Sequence, residues 1–246
     1  MPFGLTNAPA TFQRMMDLVL SGLLYKLCLV YIDDIIIFSR TFEEHIKNIQ
    51  TVLDRLRDTN IKLSAEKCNF CLEEIPFLGH VISSQGCCPN PDKVKAIVEW
   101  PVPQNKTELK SFIGLAGYYR RFIHDFATIA EPLTSMTSKK ALFVWTTTQQ
   151  RAFNALKLTL ATKPILRFPD FSKDFVLYTD ASGVGVGAVL EQPQDNPKQP
   201  SVIWYWSCVL DSAERNYTTT EKEYLAFVDA CKNFRPYLIG RKLTEL

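Results

Sequence analysis

Residues 28–39 read "CLVYIDDIIIFS" and place two adjacent carboxylates, Asp33 and Asp34, inside an otherwise apolar run. The flanking segments are rich in β-branched and aromatic residues, so the stretch predicts a strand–turn–strand hairpin with the carboxylates at its turn. Two like charges so close repel each other, and a divalent cation that binds carboxylate and substrate phosphate oxygens relieves the repulsion. The doublet therefore indicates a metal site for phosphoryl transfer, against the simpler alternative of a turn that uses Asp for local hydrogen bonds.

The overall composition is that of an ordinary globular protein, because 46% of the 246 residues are hydrophobic and 22% are charged. The net charge of +2 does not by itself indicate nucleic-acid binding. We expect no membrane span and no signal peptide, and hence an intracellular protein. The seven cysteines lack the spacing of a zinc ribbon, which favours packed free thiols.

A second motif combines basic and aromatic residues on one predicted helix, "TELKSFIGLAGYYRRFIHDF", which Asn105 and Glu108 cap. Basic groups mixed with aromatic rings and two close glycines suit a contact that follows a nucleic-acid backbone. The alternative is an amphipathic helix whose aromatic side chains lie in the core and whose charges are solvated. The spacing alone leaves both readings open.

The last third of the chain predicts a compact α+β unit of three strands followed by a helix. Asp180 ends the first strand, in "LYTDAS", and Glu223 lies in the first turn of the helix, so the two could share a metal ion. The alternatives are a strand-end turn for Asp180 and a capping box formed by Thr220 and Glu223. Glycines alternate with valines in "GVGVGAVLEQ", which predicts a strand that another segment approaches closely.

Six segments, in their order along the chain, resemble the Pol polyprotein of gypsy-like LTR retrotransposons. They are "MPFGLTNAPATFQ", "YIDDIIIFS", "FLGHVIS", "FIGLAGYYRRFI", "FVLYTDAS" and "TEKEYLAF". Their joint occurrence is far more specific than any one of them. The resemblance implies an RNA-directed DNA polymerase, or reverse transcriptase, followed by a ribonuclease H (RNase H) domain.

The resemblance also implies a domain order for this α+β chain. We expect the C-terminal part of a reverse transcriptase palm in residues 1–88 and a thumb-like helical region in 89–140. A connection in 141–172 and an incomplete RNase H-like domain in 173–246 follow. The implied partners are an RNA template, a DNA primer, an RNA–DNA hybrid, deoxynucleoside triphosphates and the remainder of the Pol polyprotein.

Site residues follow from the positions that match the family's motifs. The residues implied for catalysis and for Mg²⁺ or Mn²⁺ binding are Asp33, Asp34, Asp180 and Glu223. Those implied for binding the nucleotide and template are Phe3, Gly4 and Tyr31, and those implied for gripping the primer end are Leu78, Gly79 and His80. The residues implied for contact with the duplex are Lys110, Gly114, Tyr118, Arg120 and Arg121.

The resemblance also has gaps. The family's fingers and a palm strand with a first catalytic aspartate are expected upstream of Met1, and a third acidic RNase H ligand is expected beyond "LTEL". We therefore interpret the sequence as a retrotransposon fragment and expect that it does not extend a primer by itself. The alternatives are a non-catalytic nucleic-acid-binding remnant and a decayed reading frame that does not fold stably.

Overall fold

The computed structural model describes residues 4–193 and 201–245 and has the mixed α and β architecture expected from the sequence. The chain divides into two compact units, Met1–Leu72 and Glu73–Leu246. The domain boundaries expected after residues 88, 140 and 172 stay predictions. Within the described residues, no helix is both long and apolar enough to cross a membrane.

The first unit is a two-stranded hairpin with one helix before it and one after it. Its elements are helix α1 (Ala8–Val19), strands β1 (Cys28–Tyr31) and β2 (Asp34–Ile37), and helix α2 (Phe42–Asp58). The two strands pair antiparallel and form the predicted hairpin. Apolar residues at helical spacing on both helices cover the hairpin, and the buried core consists of Met16, Leu20, Cys28, Val52 and Leu56.

The second unit begins with a three-stranded antiparallel meander and four helices. The strands are β3 (Glu74–Phe77), β4 (His80–Ser83) and β5 (Gly86–Pro89), and the helices are α3 (Pro91–Val98), α4 (Lys106–Tyr118), α5 (Phe126–Met136) and α6 (Thr147–Ala161). Asn90 caps α3 and Asn105 caps α4, each accepting a bond from a backbone N–H, and the cap at Asn105 is the one that the sequence predicts. The helices share one aromatic-rich core that includes Phe112, Tyr119 and Phe153.

A four-stranded sheet completes the second unit. Its elements are strands β6 (Phe175–Ala181), β7 (Gly185–Gln192) and β8 (Ser201–Val209), helices α7 (Thr219–Asn233) and α8 (Arg235–Leu238), and strand β9 (Leu243–Glu245). The strand order is β8-β7-β6-β9, and only the β6–β9 pair is parallel. The sequence did not assign β9, because its three residues are too short to show a period.

The glycines of β7 allow the close approach that their alternation predicts. A Cβ on Gly187 would lie 2.7 Å from Asp125 Oδ1, and one on Gly185 would lie 2.7 Å from the Cys208 carbonyl oxygen and 3.3 Å from Thr128 Oγ1. The Ala127 N–H donates to Ser207 Oγ at 2.9 Å, which fixes the start of α5 against β8. Glycine is needed here because any side chain would separate α5 from the sheet.

Candidate functional sites

The carboxylate doublet lies at the turn of the β1–β2 hairpin. Tyr31 pairs with Asp34 in the ladder, so Ile32 and Asp33 form the two-residue turn and Asp34 opens β2. Both carboxylates are exposed. The apolar strands therefore bury their own side chains and present the charged groups to solvent, which avoids the cost of desolvating them.

A side chain of α1 braces this turn. Ile32 has a φ of +51°, a left-handed conformation that is rare for a β-branched residue and costs about 1–3 kcal/mol. Its N–H donates to Gln13 Oε1 at 2.6 Å, and Gln13 Nε2 donates to the Val30 carbonyl at 3.3 Å. The amide of Gln13 thus holds both the end of β1 and the first residue of the strained turn.

The sequence did not single out Gln13 as a site residue. Its only signal was a polar residue, at the end of "NAPATFQ", within an otherwise apolar helical stripe. A bond between a side chain and a backbone group 19 residues away leaves no pattern in a single sequence.

The remaining residues expected near the nucleotide are placed only in part. Tyr31 is 51% exposed, and Gly4 is exposed with a φ of +91°. Phe3 lies outside the described residues. Among residues 4–193 and 201–245, no group of three or more His, Cys, Asp and Glu side chains is placed to hold a metal ion. Two adjacent exposed carboxylates nevertheless fit the way Mg²⁺ binds through one or two carboxylates while retaining water and phosphate ligands.

The tip of the β3–β4 hairpin is a second strained turn. Phe77 pairs with His80, so the tip consists of Leu78 and Gly79, whose φ values are +45° and +72°. Glycine adopts this conformation freely, whereas Leu78 is strained in it. The three residues expected to grip the primer end are therefore contiguous at one hairpin tip.

Two tyrosines at the end of α4 hold this tip. The Tyr118 hydroxyl donates to the Leu78 carbonyl at 2.6 Å, and the Tyr119 hydroxyl donates to the Gly79 carbonyl at 2.7 Å. The His80 ring lies 5.4 Å from the Tyr118 ring and 5.6 Å from the Tyr119 ring. Burial, with the nearby Tyr118 and Cys87, raises the pKa of Tyr119 to about 12, so its hydroxyl remains a donor at neutral pH.

His80 packs against the same two tyrosine rings. Burial, followed by repulsion from the Arg121 guanidinium, lowers its pKa, while a backbone contact of Nδ1 with the Leu78 carbonyl at 2.8 Å acts in the opposite direction. The lowered pKa favours a neutral imidazole at pH 7. This environment suits a packing role for His80 in addition to the predicted one.

Helix α4 has one exposed stripe, which contains three of the five residues expected to contact a duplex. Lys110, Gly114 and Tyr118 follow one another at intervals of four residues and are exposed, and a Cβ on Gly114 would meet no atom within 4 Å. The opposite face is buried through Leu109 and Phe112. The exposed stripe is therefore open at Gly114, where no other part of the described chain covers the helix.

The two arginines after α4 also make contacts within the second unit, although Arg120 is exposed and Arg121 is half-buried. Arg120 donates to the Ser207 carbonyl, and its guanidinium lies 5.5 Å from the Phe126 ring centroid. Arg121 donates to Cys87 Sγ at 3.2 Å, with its guanidinium 4.9 Å from the Phe122 ring and 5.0 Å from that of Trp204. Their predicted contacts with a duplex stay predictions, but replacing either residue would also disturb this packing.

The last two predicted acidic residues lie on elements that pack together. Asp180 is exposed near the end of β6, and Glu223 is exposed in the second turn of α7. The helix is capped by Thr218 and Glu221, not by Thr220 and Glu223 as the alternative interpretation required. Glu223 is therefore not used as a cap, and its role with Asp180 as a metal ligand stays a prediction.

Two protein families match the chain. Residues 1–82 match "Reverse transcriptase (RNA-dependent DNA polymerase)", and residues 145–244 match "RNase H-like domain found in reverse transcriptase". These matches contain the carboxylate doublet of the first unit and strands β6, β7 and β8 of the second.

Among curated proteins, the retrovirus-related Pol polyprotein of Drosophila melanogaster transposon 297 is 50% identical over 246 residues, which cover 98% of this chain and 22% of the relative. The Pol polyprotein of transposon gypsy from the same organism is 43% identical, covering 98% of this chain and 24% of the relative. The Tf2-3 polyprotein of Schizosaccharomyces pombe is 37% identical, with 97% and 18% covered. The chain thus spans less than a quarter of the length of these relatives.

Solved structures agree on the fold. The foamy viral protease-reverse transcriptase in complex with an RNA/DNA hybrid superposes with a TM-score of 0.84 at 24% identity, covering 100% of this chain and 33% of that one. The same type of protein in complex with dsDNA gives 0.86 at 24% identity, with 100% and 51% covered. The ordered motifs, the two family matches and the curated relatives together show that the chain belongs to the reverse transcriptase and RNase H-like region of gypsy-type retrotransposon Pol polyproteins.

Proposed function

We propose that the chain contributes two carboxylates, Asp33 and Asp34, to an RNA-directed DNA polymerase site. The observation that carries the proposal is the exposed doublet at a strained turn that Gln13 braces, within the reverse transcriptase match. Strain that the surrounding structure maintains at an exposed charged turn is typical of functional sites. A local Asp turn would need neither the strain nor the brace.

Mg²⁺ or Mn²⁺ is the cofactor that these side chains would hold. Reverse transcriptases and RNases H generally use divalent metal ions, and a bound ion stabilises the charge that develops when a primer 3′-hydroxyl attacks a nucleotide α-phosphate. The chain's own part is to keep Asp33 and Asp34 adjacent and solvent-facing, so that their oxygens are available without desolvating two unpaired charges. Tyr31, Gly4 and Phe3 are proposed to border the nucleotide and template.

The duplex is proposed to contact the exposed stripe of α4 and the tip at Leu78 and Gly79. Support comes from the open surface at Gly114, the exposed charge of Lys110, and the solved relatives in complex with an RNA/DNA hybrid and with dsDNA. A glycine on such a stripe admits a nucleic-acid backbone closely, and a lysine supplies a salt-sensitive phosphate contact.

Asp180 and Glu223 are proposed as ligands of the RNase H site. Each site then has two carboxylates from this chain, and we propose that further acidic groups come from other parts of a longer Pol polyprotein. The protein would act inside the cell, in the cytoplasm, a virus-like particle or the nucleus.

Binding of an RNA–DNA hybrid tests the duplex surface. Fluorescence anisotropy at several salt concentrations should show binding that weakens as salt rises. Lys110→Ala should reduce the salt slope by about one counterion, because one phosphate contact is removed. Lys140→Ala, which removes an exposed lysine outside α4, is the matched control and should leave the slope unchanged. Equal slopes for the two variants would contradict the assignment of α4.

Primer extension tests whether the chain acts as a polymerase by itself. We expect no template-directed incorporation by the purified chain alone, because each site lacks further carboxylates among the described residues. Incorporation that disappears in Asp33→Asn would contradict this expectation. Hybrid binding without extension fits both an incomplete polymerase and a non-catalytic remnant, and metal binding at Asp33 and Asp34 favours the former.

A further inference from the structure

We propose that Tyr118 and Tyr119 are positioning residues that lock the β3–β4 tip to the end of α4, so that the tip and the exposed stripe of α4 form one rigid surface for a nucleic-acid duplex. The inference deepens the proposed function and rests on it. Tyr118 was expected to touch the duplex itself, whereas its hydroxyl is engaged with the protein backbone. Tyr119 was given no role by the sequence.

The two hydroxyls bind the two residues of the tip that have positive φ. Tyr118 donates to the carbonyl of Leu78, and Tyr119 donates to the carbonyl of Gly79, which also accepts from the Asn90 N–H at 3.1 Å. Both tip carbonyls therefore have protein donors. The Leu78 side chain is 38% exposed at the same tip.

The fit between the tip and the tyrosines is tight. A Cβ on Gly79 would lie 3.2 Å from Tyr118 Cε1 and 3.3 Å from its hydroxyl oxygen. The two tyrosine rings meet edge to face at 5.0 Å, and His80 contacts both of them. A leucine in the left-handed region persists only where its surroundings hold it, and these contacts supply that restraint.

The two tyrosines differ in burial and therefore have different roles. Tyr119 is 1% exposed and belongs to the core, so it anchors the tip to the fold. Tyr118 is 52% exposed and continues the stripe of Lys110 and Gly114, so its ring can face a ligand while its hydroxyl holds Leu78. The hydroxyl of Tyr118 is thus the group that joins the stripe to the tip.

Tyr118→Phe tests the lock because it removes one hydroxyl and keeps the ring. Hydrogen exchange measured by mass spectrometry on the full chain should become about fivefold faster in residues 74–83, since one hydrogen bond is lost. The dissociation constant for an RNA–DNA hybrid should rise about fivefold for the same reason. Tyr25→Phe, at a tyrosine that is 83% exposed in the other unit, is the control and should change neither quantity.

The outcomes separate this inference from the proposed function. If the unmodified chain does not bind the hybrid, the proposed function is wrong and the positioning role is lost with it. If the chain binds but Tyr118→Phe leaves exchange unchanged, the lock does not exist. If exchange rises while the dissociation constant stays the same, the lock is structural only, and the positioning role is overturned. Tyr119→Phe should repeat the faster exchange, and failure to do so would remove Tyr119 from the lock.

Discussion

Two hairpin turns of this protein contain the same kind of backbone strain, and each is restrained in a different way. The turn at Ile32 and the tip at Leu78 both place a large apolar residue at positive φ, where glycine or asparagine is relaxed. In each case a polar side chain from a helix binds the turn's backbone. Gln13 binds an N–H at the first turn, and Tyr118 binds a carbonyl at the second.

The difference lies in what each turn presents to solvent. The first turn presents two carboxylates, and its brace is an amide that carries no charge at any pH. The second turn presents an apolar side chain and is held in an aromatic cluster by two tyrosine hydroxyls. The first turn thus exposes charge, whereas the second is held rigidly by its surroundings.

Gln13→Ala should have the largest effect on this comparison. It removes both bonds to the β1–β2 turn and leaves Ile32 strained without its acceptor, so the free energy of unfolding should fall by about 2 kcal/mol. Urea unfolding monitored for the first unit measures the change. Gln50→Ala, at an exposed position of α2, is the control and should be near neutral. Equal effects of the two variants would mean that Gln13 does not brace the turn.

Gly79→Ala should destabilise the second turn by about 1 kcal/mol, because the new Cβ meets Tyr118 and the backbone is left-handed. Gly114→Ala should do the opposite and stabilise α4 by about 0.5–1 kcal/mol, because its Cβ would point into open space within a helix. Thermal unfolding of both variants gives the sign. Two shifts in the same direction would contradict the described geometry.

High pH should weaken the second turn. The folded-state pKa of Tyr119 is raised to about 12, so its contribution is complete below the unfolded-state pKa near 10 and is lost as the pH rises through 12. At pH 11 the loss should be about 1 kcal/mol, and Tyr119→Phe should remove this part of the pH dependence. Denaturation curves at pH 9 and 11 measure it. The same slope in Tyr119→Phe would show that other groups cause the dependence.

Leu78→Asn should have the smallest effect, a gain of about 0.5 kcal/mol, because asparagine tolerates the left-handed conformation better than leucine. Leu142→Asn, at an 83% exposed leucine without positive φ, is the matched control and should bring no gain. Thermal unfolding compares them. A loss of stability in Leu78→Asn would show that the leucine side chain contributes more than its strain costs.

The sequence was most informative where a residue's role is local. β-Branched and aromatic residues predicted the β1–β2 hairpin around Asp33, and a polar side chain before a helix predicted the cap at Asn105. The glycines of β7 predicted a close approach, which the start of α5 makes. Ordered motifs then gave the family, which both family matches confirm.

The sequence was least informative where a role depends on a distant partner. Gln13 and Tyr119 bind backbone atoms 19 and 40 residues away, and neither leaves a local pattern. Arg121 was assigned to a duplex because it matches a position of the family's motif, and the sequence did not show that its guanidinium packs between Phe122 and Trp204. Charge in a sequence shows that a cation is present, and only tertiary packing shows which surface it faces.

Metal binding at the carboxylate turn tests the central claim most directly. Binding of Mn²⁺, followed by electron paramagnetic resonance, should be at least about tenfold weaker in the Asp33→Asn, Asp34→Asn double variant, because both hard oxygen donors lose their charge. Asp58→Asn, at an exposed aspartate at the end of α2 in the same unit, should leave binding unchanged. The account predicts a loss confined to the doublet; equal Mn²⁺ affinity in the double variant and the unmodified chain would contradict it.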